Sequence, residues 1–414
     1  MTHKRIAMIS VHECPLASSE GKERGGINVY VFELAKALSK QGWHIDIFTR
    51  LQDDINPTIV QVNPTMRVIH IACGPHTPLS KKEILHHIDE FTKGVHTFIT
   101  NDNLTYDIIH AHYYLSGIIA KSLSNLSQPP IPWIMTFHTL GLMKQLVSRT
   151  STLEDPQERV DIERTLAKSA THVMTTSAND KAYVAALYDV SPISIQTIPP
   201  GVDTTLFQPQ PKDQAKKDIG ADLDHHIVLA VGRIDPVKGF DVLLYAMKML
   251  FVKNPNLAKN TCLWIVGGDI GEDQNSWSAE LKKLTVLQSV LGLSTTVKFI
   301  APQSQAELVH YYNAADVVVM PSHYESFGMV ALEALACDTP VITTDVMGIS
   351  PMVKEFPKGH VISANNPVLL SEQLEHVLNE NHGFFVNKDT MQKFNWESIA
   401  KQVSVLYEKS IAKN

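Results

Sequence analysis

The sequence predicts an α/β protein made of two doubly wound, Rossmann-like domains that face a central cleft. The chain has 414 residues, more than one hydrophobic core usually organises, so two domains are expected. Apolar strand-like runs alternate with helix-like runs almost throughout, as in parallel sheets with crossover helices. The segment IQTIPPGVDTTLFQPQPKDQAKK, rich in Pro, Gln and Lys, separates two such series and is predicted to be a connection rather than a core element, with the domain boundary near residues 200–215. Ligands of such sheets usually bind beyond the carboxyl ends of the strands.

Each predicted element follows from the hydrophobic pattern. The first series contains the strands RIAMIS, HIDIFTR, YDIIHAHY, PWIMTFH and THVMTTS, and the amphipathic helix NVYVFELAKALSKQG, which ends at Gly42. The second series contains the strands HIVLAVG, TCLWIVGG, TVKFIA, DVVVMPS and PVITTD. Near-continuous apolar strands are expected in sheets that are covered on both faces. We therefore expect a first domain over residues 1–205 and a second over residues 206–392.

Composition argues against several classes of protein. The net charge of -7 disfavours a nucleic-acid binder, because phosphate contacts need a basic face. Cys14, Cys73, Cys262 and Cys337 form no zinc spacing or disulfide framework and are expected to be thiols in a reducing cytosol. No apolar run has the length of a signal peptide or a membrane span. A cytoplasmic protein is expected. Peripheral membrane contact stays open but is not indicated, since the acidic charge slightly disfavours it, and no pattern indicates an oligomeric state.

A glycine pair precedes the first predicted helix. Gly25 and Gly26 stand in the segment RGGINVY, directly before the helix that follows strand one. Glycines there let backbone amides approach an anion closely, and the helix N-terminus adds partial positive charge. The G-x-G-x-x-G spacing of dinucleotide-binding proteins is missing. The segment therefore indicates either an anion site or a simple glycine turn.

Two cations follow the first strand of the second series. Arg233 and Lys238 lie in VGRIDPVKGF, between a buried strand and a helix. A guanidinium binds phosphate oxygens with a planar fork, and an ammonium contributes a compact charge. Together they would neutralise a diphosphate and stabilise the charge that develops when it leaves. The alternative is a solvated surface pair.

Two glutamates flank a strand-to-helix turn in ESFGMVALE. Glu325 is expected in the loop at the end of the strand DVVVMPS, and Glu333 about two helical turns further on. Their separation is too long for a carboxylate pair that shares a proton. The backbone amides of Phe327, Gly328 and Met329 open the helix and suit a phosphate. The pattern predicts two hydroxyl-binding carboxylates beside a phosphate site, the alternative being one exposed glutamate and one helix glutamate.

Histidines follow two strands of the first domain, in HAHYYLSG and TFHTLG. His138, in the second segment, stands on a post-strand loop where it could hydrogen-bond a polar ligand, or serve only as a packed or capping residue. No H-E-x-x-H or carboxylate–histidine cluster appears. The sequence therefore predicts no metal site.

Six segments, taken in order, resemble a known family. GGINVY, HAHYYLSG, TFHTL, PPGVDTTLF, VGRIDPVKG and ESFGMVALEALA extend over nearly the whole chain. Together they resemble the retaining glycosyltransferases of family four, which have the GT-B fold. GGINVYVFELAKALSKQG, HAHYYLSG and FHTL are similar to the branch that contains sucrose-phosphate synthase and the inositol-phosphate N-acetylglucosaminyltransferase of mycothiol synthesis. The resemblance implies a donor site in the second domain, an acceptor site in the first, and a helix at about 393–414 that packs back on the first domain.

The resemblance implies a role for each donor-site candidate. Arg233 and Lys238 would hold the diphosphate of a nucleotide-sugar. Glu325 would bind hydroxyls of the sugar, and Glu333 those of the ribose. Further donor contacts are implied for Gly25, Gly26, Phe327, Gly328 and Met329.

Catalysis is implied to use front-face substitution with retention of configuration. His138 would lie beside the transferred sugar, and the catalytic set would be completed by Arg233, Lys238 and Glu325. No carboxylate is implied as nucleophile, unlike in glycoside hydrolases. The departing diphosphate oxygen would take the acceptor proton. The scheme requires no metal or other cofactor, and the nucleotide-sugar is a co-substrate.

The narrower branch also implies an acceptor-phosphate site. Its members collect the phosphate with residues that match Lys81, Tyr113, Thr139 and Arg159, although Arg164 is an alternative to Arg159. Two segments depart from the branch. FHTLGLMKQ lacks the usual lysine-and-asparagine run, so the acceptor can differ from that of the branch. EALACDTPVI has an aspartate where glycine is usual, which affects only the conformation of a turn.

The sequence thus predicts a glycosyltransferase with nucleotide-sugar and small-molecule substrates. It would move a hexose or N-acetylhexosamine from a nucleotide diphosphate sugar, UDP favoured over GDP, to a hydroxyl of an inositol phosphate or sugar phosphate. Alternatives are a sucrose-phosphate synthase-like glucosyltransferase and a mannosyl- or glucosyltransferase acting on a lipid or polysaccharide. Outside this class stand a Rossmann dehydrogenase, disfavoured by the missing glycine fingerprint, and a non-catalytic sugar-nucleotide binding protein.

Overall fold

A computed structural model describes residues 4–16, 26–147, 157–268, 270, 277–326, 328–346, 348–363, 366–380 and 388–413. The chain divides into two units, Met1–Gly201 with Trp396–Asn414, and Val202–Asn395. The divisions lie a few residues from the expected limits at 205/206 and 392/393. The assignment of acceptor binding to the first unit and donor binding to the second remains a prediction.

A largely parallel sheet forms the centre of the first unit. Its described strands lie in the order β3-β4-β2-β1-β5-β6-β7-β8. Only β3, an edge strand, pairs antiparallel with its neighbour β4 among these strands. Their bounds are β1 Arg5–Ile9, β2 His44–Arg50, β3 Ile59–Asn63, β4 Met66–Ile71, β5 Ile108–His112, β6 Trp133–Thr136, β7 His172–Thr175 and β8 Ile195–Thr197.

Helices connect these strands, and the C-terminal helix returns to the same unit. The bounds are α1 Gly26–Lys40, α2 Lys81–His86, α3 Ile88–Asn101, α4 Tyr114–Leu126, α5 Gly141–Val147, α6 Gln157–Ser169, α7 Ala178–Tyr188 and, at the end of the chain, α17 Trp396–Ile411. Helix α17 packs on α1, and its Val403 and Tyr407 share an apolar core with Leu34 of α1 and Ile6 of β1. This burial joins the chain terminus to the first unit.

The second unit contains a parallel sheet in the order β11-β10-β9-β12-β13-β14. Its described strands are β9 His226–Val231, β10 Thr261–Val266, β11 Val297–Ile300, β12 Val317–Met320, β13 Val341–Thr344 and β14 Gly359–Ile362. Along β9, Ile227 and Leu229 enter one apolar cluster, whereas Val228 and Ala230 enter another. This alternation places a core on each face of the sheet.

Helices cover both faces of this second sheet. They are α8 Lys212–Asp218, α9 Phe240–Lys253, α10 Pro255–Lys259, α11 Ala279–Val290, α12 Gln305–Ala314, α13 Met329–Ala336, α14 Ser350–Val353, α15 Pro367–Asn379 and α16 Lys388–Lys393. Two Rossmann-like units are therefore present, as the sequence predicts. Because the described strands of both sheets are parallel, except β3, the loops after them share one edge of each sheet.

Several elements carry no clear signal in the sequence. Strands β3, β8 and β14 lie at sheet edges, so they remain partly exposed and lack continuous apolar runs. The prediction that the proline-rich segment is a connection rather than a core element is wrong. The segment contains β8 and the start of α8, and it buries Val202 and Phe207 in the core of the second unit. Isolated apolar residues between prolines give no periodicity that reveals such burial.

The departure at Asp338 has a local explanation. This residue has φ 64°, in the left-handed region that glycine adopts without steric cost. Lys358 Nζ lies 2.8 Å from Asp338 Oδ2 and donates to the Asp338 carbonyl at 3.0 Å. The aspartate is therefore tolerated at a turn after α13 because a neighbouring lysine binds both its side chain and its backbone.

Candidate active site

Lys238 and Glu325 are in direct contact in the second unit. Lys238 Nζ lies 2.6 Å from Glu325 Oε2, and both side chains are largely buried. Lys238 ends a short 3-10 turn, Pro236–Lys238. Asp235 caps the start of this turn, because its Oδ1 accepts from Val237 N at 2.9 Å. The structure thus brings together a cation predicted to hold a diphosphate and a carboxylate predicted to bind a sugar.

Gly239 allows the chain to turn tightly behind Lys238. It has φ 66°, and a Cβ built on it would lie 2.1 Å from the carbonyl oxygen of Pro321. His323 N donates to the Val237 carbonyl at 2.7 Å in the same region. The loop after β9 therefore packs against the loop after β12, and a side chain at position 239 would separate them.

Arg233 lies in the same loop but is exposed. It forms no hydrogen bond or ion pair with the described residues, in contrast to Lys238. Its guanidinium is therefore accessible to a ligand, and its role in diphosphate binding remains a prediction.

The start of helix α13 has the predicted strand-to-helix form. Gly328 caps the helix with φ 76°, and Met329 begins it, partly buried against the core. Gly26 begins helix α1 in the first unit and is exposed. Gly25 and Phe327 lie outside the described residues. The proposed anion-binding amides are thus located at helix starts for Gly26, Gly328 and Met329.

Glu333 lies two turns into α13 and is almost fully buried. Tyr312 donates its hydroxyl proton to Glu333 Oε2 at 2.7 Å, and Gln305 also hydrogen-bonds the carboxyl group. Burial raises the pKa of Glu333 to about 6, although both hydrogen bonds oppose the shift. Two neighbouring side chains therefore hold this carboxylate in a defined orientation.

This raised pKa predicts a pH-dependent stability difference between wild type and Glu333→Gln. The folded protein holds the Glu333 proton more tightly than the unfolded chain does, so the contribution of Glu333 to stability falls as pH rises from about 4.5 to about 6. The variant should gain about 2 kcal/mol relative to wild type between pH 4.5 and 7.5. Urea unfolding at both pH values measures this, with the more exposed Glu355→Gln as control. A difference that does not change with pH would contradict the assignment.

In the first unit, the ring of Tyr113 is the centre of a charged cluster. The Arg159 guanidinium carbon lies 5.0 Å from the centroid of this ring and Lys81 Nζ lies 5.1 Å from it, which are cation–π distances. Tyr113 itself adopts φ 74° and ψ 155°, a backbone region that is nearly restricted to glycine. Such strain at a non-glycine residue is typical of functional sites.

Lys81 joins this cluster from the start of helix α2, and Thr139 joins it from the loop after β6. A capping box starts helix α2, because Glu83 N donates to Ser80 Oγ and Ser80 N donates to the Glu83 carboxylate; this box fixes the position of Lys81. Arg159 Nη2 donates to the Thr139 carbonyl at 2.8 Å and to its hydroxyl at 3.2 Å. The structure therefore brings together all four residues predicted to collect an acceptor phosphate.

Burial and contacts distinguish Arg159 from Arg164, although the phosphate-binding role of either remains a prediction. Arg159 is 2% exposed and lies in the cluster. Arg164 lies one turn further along α6 and pairs on the surface with Asp161, at 2.9 Å. The two arginines occupy different faces of the helix, and only Arg159 contacts Tyr113 and Thr139.

His138 lies in a group of uncharged aromatic side chains. Its Nε2 is 3.0 Å from His112 Nδ1, and its ring meets Tyr30 edge-on at 4.9 Å between centroids. Loss of hydration lowers the pKa of His138 to about 3, so the imidazole is neutral at pH 7. His138 also has φ 61°. A neutral, firmly oriented imidazole at the end of β6 suits hydrogen bonding to a polar ligand.

The two histidines of the HAH segment, His110 and His112, have different hydrogen-bond partners. His110 and His112 point to one side of β5, with centroids 4.1 Å apart. His110 is bound by the Tyr407 hydroxyl at 2.6 Å and by the Thr136 hydroxyl at 2.8 Å, so it belongs to the core. His112 instead contacts His138 and positions it.

His12 is a site residue that sequence reasoning missed. Its ring stacks on Tyr113 with centroids 4.4 Å apart. Both ring nitrogens are buried and have no hydrogen-bond partner among the described residues. Burial, together with nearby Lys81, His138 and Arg159, holds the pKa of His12 well below its usual range. Glu13 Oε1 lies 3.6 Å from His12 Nε2, beyond hydrogen-bond distance. Because buried polar atoms without hydrogen bonds are costly, this imidazole is a candidate ligand contact.

A sequence signal for His12 does exist. The residue stands just beyond the carboxyl end of β1, in VHECPL, where ligands of α/β sheets usually bind. Tyr30 carries a similar feature, because its buried hydroxyl also has no partner in the described part of the chain. Neither feature can be predicted from spacing alone, because both depend on contacts between distant segments.

Two further observations concern the described residues as a whole. No group of three or more His, Cys, Asp and Glu side chains there is arranged to hold a metal ion. No described helix combines the length and the apolar character that a membrane crossing requires.

The fold and the site residues define the class of protein. Two Rossmann-like units, with Lys238 after β9 in contact with Glu325 after β12, have the architecture of GT-B glycosyltransferases. Comparison with family models agrees: residues 24–206 match Glycosyltransferase Family 4, and residues 211–396 match Glycosyl transferases group 1.

Curated relatives are similar over the whole chain. The D-inositol 3-phosphate glycosyltransferase of Corynebacterium glutamicum is 34% identical, covering 99% of this chain and 97% of that protein. The corresponding enzyme of Corynebacterium jeikeium is 33% identical over 98% and 96% of the two chains. The chain therefore belongs to glycosyltransferase family 4 and is a hexosyltransferase.

Solved structures are similar to both units. Sucrose-phosphate synthase from Thermosynechococcus elongatus aligns with a TM-score of 0.87 and 30% identity over all of both chains. Anabaena HepE, in complex with UDP and glucose, aligns with a TM-score of 0.74 at 17% identity, covering 98% of this chain and 100% of HepE. The second likeness bears on the fold alone. The predicted fold class and enzyme class are confirmed.

Proposed function

We propose that this glycosyltransferase moves a hexose or N-acetylhexosamine from a UDP-sugar to a hydroxyl of a small phosphorylated acceptor, such as an inositol phosphate. The main support is the cluster around Tyr113, in which Lys81, Thr139 and the buried Arg159 converge. Two cations and two hydroxyl groups around one strained loop are the chemistry that a phosphate monoester requires. The similarity to D-inositol 3-phosphate glycosyltransferases supports the same acceptor class.

The acceptor site would include His12 and His138. Both imidazoles are neutral because burial lowers their pKa values. A neutral imidazole can donate to or accept from a hydroxyl group, so each can orient a polyol ring without adding charge. Lys81 and Arg159 would then bind the phosphate, leaving the ring hydroxyls to the histidines.

The donor would be held by the residues of the second unit. Arg233 and Lys238 would neutralise the diphosphate, Glu325 would bind sugar hydroxyls and Glu333 the ribose. The contact of 2.6 Å between Lys238 and Glu325 supports a common site for diphosphate and sugar. The backbone amides of Gly25, Gly26, Phe327, Gly328 and Met329 are proposed as further donor contacts.

The proposed reaction retains the anomeric configuration. The acceptor hydroxyl attacks the anomeric carbon on the face from which the diphosphate departs, forming a new C–O bond while the C–O bond to phosphate breaks. The departing phosphate oxygen takes the proton of the hydroxyl, and Arg233 and Lys238 stabilise its charge. Because these side chains supply the positive charge, the scheme uses no cofactor beyond the nucleotide-sugar co-substrate.

A second candidate is a sucrose-phosphate synthase-like activity with a sugar phosphate as acceptor. The alignment with sucrose-phosphate synthase over the full chain favours it. Both candidates use a phosphorylated acceptor, so the cluster around Tyr113 supports both equally. The two candidates share phosphate recognition, and they differ in the ring of the acceptor.

A substrate screen tests the proposal. UDP- and GDP-sugars are combined with inositol phosphates, hexose phosphates and the matching unphosphorylated polyols, and product is detected by mass spectrometry. We expect turnover with a UDP-sugar and at least a tenfold preference in kcat/KM for the phosphorylated form, equivalent to about 1.4 kcal/mol. Equal use of phosphorylated and unphosphorylated acceptors would overturn the proposal, whereas turnover only with hexose phosphates would favour the second candidate.

A further inference from the structure

Helix α6 carries a buried glutamate that no substrate role explains. Glu163 is completely buried, one helical turn after Arg159. Its Oε1 accepts from Arg159 Nε at 2.7 Å. Its Oε2 accepts from Gly141 N at 2.9 Å and from the hydroxyl of Tyr188. Burial of a carboxylate costs several kcal/mol unless it is paired and hydrogen-bonded, as it is here.

These contacts connect three separate segments to the phosphate cluster. Gly141 begins α5, directly after the loop that carries His138 and Thr139. Tyr188 ends α7, and burial and the nearby Glu163 raise the pKa of its hydroxyl, which therefore remains a donor. A Cβ at Gly141 would lie 3.1 Å from Arg159 Cδ, so the loop and the arginine are already in close contact. Glu163 thus fixes both the Thr139 loop and the guanidinium.

The orientation of the guanidinium follows from this arrangement. Arg159 Nε donates to Glu163 and Arg159 Nη2 donates to Thr139. Two hydrogen bonds from different nitrogens therefore fix the plane of the guanidinium. The same plane lies over Tyr113 and Tyr114, at 5.0 and 5.2 Å from the ring centroids. A lysine-like point charge would not be oriented in this way.

We infer that Glu163 is a positioning residue for phosphate recognition, which holds Arg159 and the Thr139 loop in the geometry that binds the phosphate of the acceptor. The inference rests on the proposed function, because it assumes that the cluster binds phosphate. It assigns no contact between Glu163 and substrate. Glu163 acts through Arg159 by hydrogen bonding and through Gly141 by anchoring the start of α5.

A different role for Glu163 predicts an effect of opposite sign. If the carboxylate served only to compensate the charge of Arg159, its neutralisation would leave a stronger positive potential and phosphate would bind more tightly. If it orients Arg159, neutralisation loosens the fork and phosphate binds more weakly. The direction of the change therefore separates orientation from compensation.

The test compares Glu163→Gln with wild type, using inorganic phosphate as a competitive inhibitor against the phosphorylated acceptor. We expect the Ki of inorganic phosphate and the KM of the acceptor to rise about tenfold, while the Kd of UDP measured by calorimetry stays unchanged. Asp161→Asn is the matched control, because it removes an exposed ion pair on the same helix. Tyr188→Phe removes one donor to Glu163 and should produce a smaller rise, and it replaces Glu163→Gln if that variant does not fold.

The outcomes separate this inference from the proposed function. Unchanged or tighter phosphate binding in Glu163→Gln or Tyr188→Phe, with a phosphate-sensitive wild type, would overturn the positioning role alone. A wild-type enzyme that neither responds to inorganic phosphate nor prefers phosphorylated acceptors would overturn the proposed function, and the positioning role with it. A rise in Ki confined to the Glu163 and Tyr188 variants supports both.

Discussion

Replacement of Lys238 by alanine is expected to lower kcat/KM for the nucleotide-sugar by about 10²- to 10³-fold, the usual effect of removing one group that stabilises developing negative charge. The side chain is largely buried and lies 2.6 Å from Glu325. Its removal takes away a cation predicted to bind the diphosphate and leaves the Glu325 carboxylate without this partner. Steady-state kinetics and calorimetric titration with UDP measure the effect on turnover and on binding.

The matched control for this variant is Lys253→Ala. Lys253 also pairs with a glutamate in the second unit, at 2.7 Å from Glu375, but its side chain is mostly exposed. Surface pairs of this kind contribute little, so the control should retain full activity. Unchanged donor affinity and turnover in Lys238→Ala would remove the lysine from the donor site and contradict its predicted role.

Replacement of Arg159 by lysine is expected to raise the KM of the phosphorylated acceptor about 10- to 100-fold, an effect of about 1.4 to 2.8 kcal/mol. Lysine keeps the charge but loses the planar fork that reaches both Glu163 and Thr139. Donor affinity should not change. Initial-rate kinetics with varied acceptor at saturating UDP-sugar measure the effect.

Arg164→Lys is the control for this second variant. Arg164 lies on the same helix and pairs only with Asp161 among the described residues, on the surface. It should behave like wild type in both KM values. Equal effects of the two substitutions would mean that the loss is a general property of helix α6 and would argue against a phosphate site at Arg159.

The sequence indicates Arg159 and leaves Arg164 as an alternative. The segment DPQERVDIERTL offers these two cations five residues apart, and the structure places both on helix α6. Which of them faces inward depends on the face that the helix packs against its neighbours. In the structure, Arg159 packs against Tyr113 and Tyr114 of α4, whereas Arg164 remains on the surface.

The positions of the predicted donor residues, unlike those of the two arginines, follow largely from the sequence. Lys238 and Glu325 are 87 positions apart in sequence and in contact in the fold. Their placement at the ends of two buried strands could be predicted from apolar runs, because neighbouring parallel strands end at the same edge of a sheet. The contact itself also requires β12 to lie beside β9, an order of strands that no local pattern specifies.

By itself, the sequence determined the class of this protein. Apolar runs and their spacing specify strands and helices through burial and backbone geometry, which act locally, and the ordered motifs place Lys238, Glu325 and the loops after the strands. Only the tertiary structure decided that Arg159 rather than Arg164 meets Tyr113, that His12 stacks on the same ring, and that Glu163 accepts hydrogen bonds from Gly141 and Tyr188. These contacts join segments that are distant along the chain, and they exist only because packing removes water from one particular set of side chains.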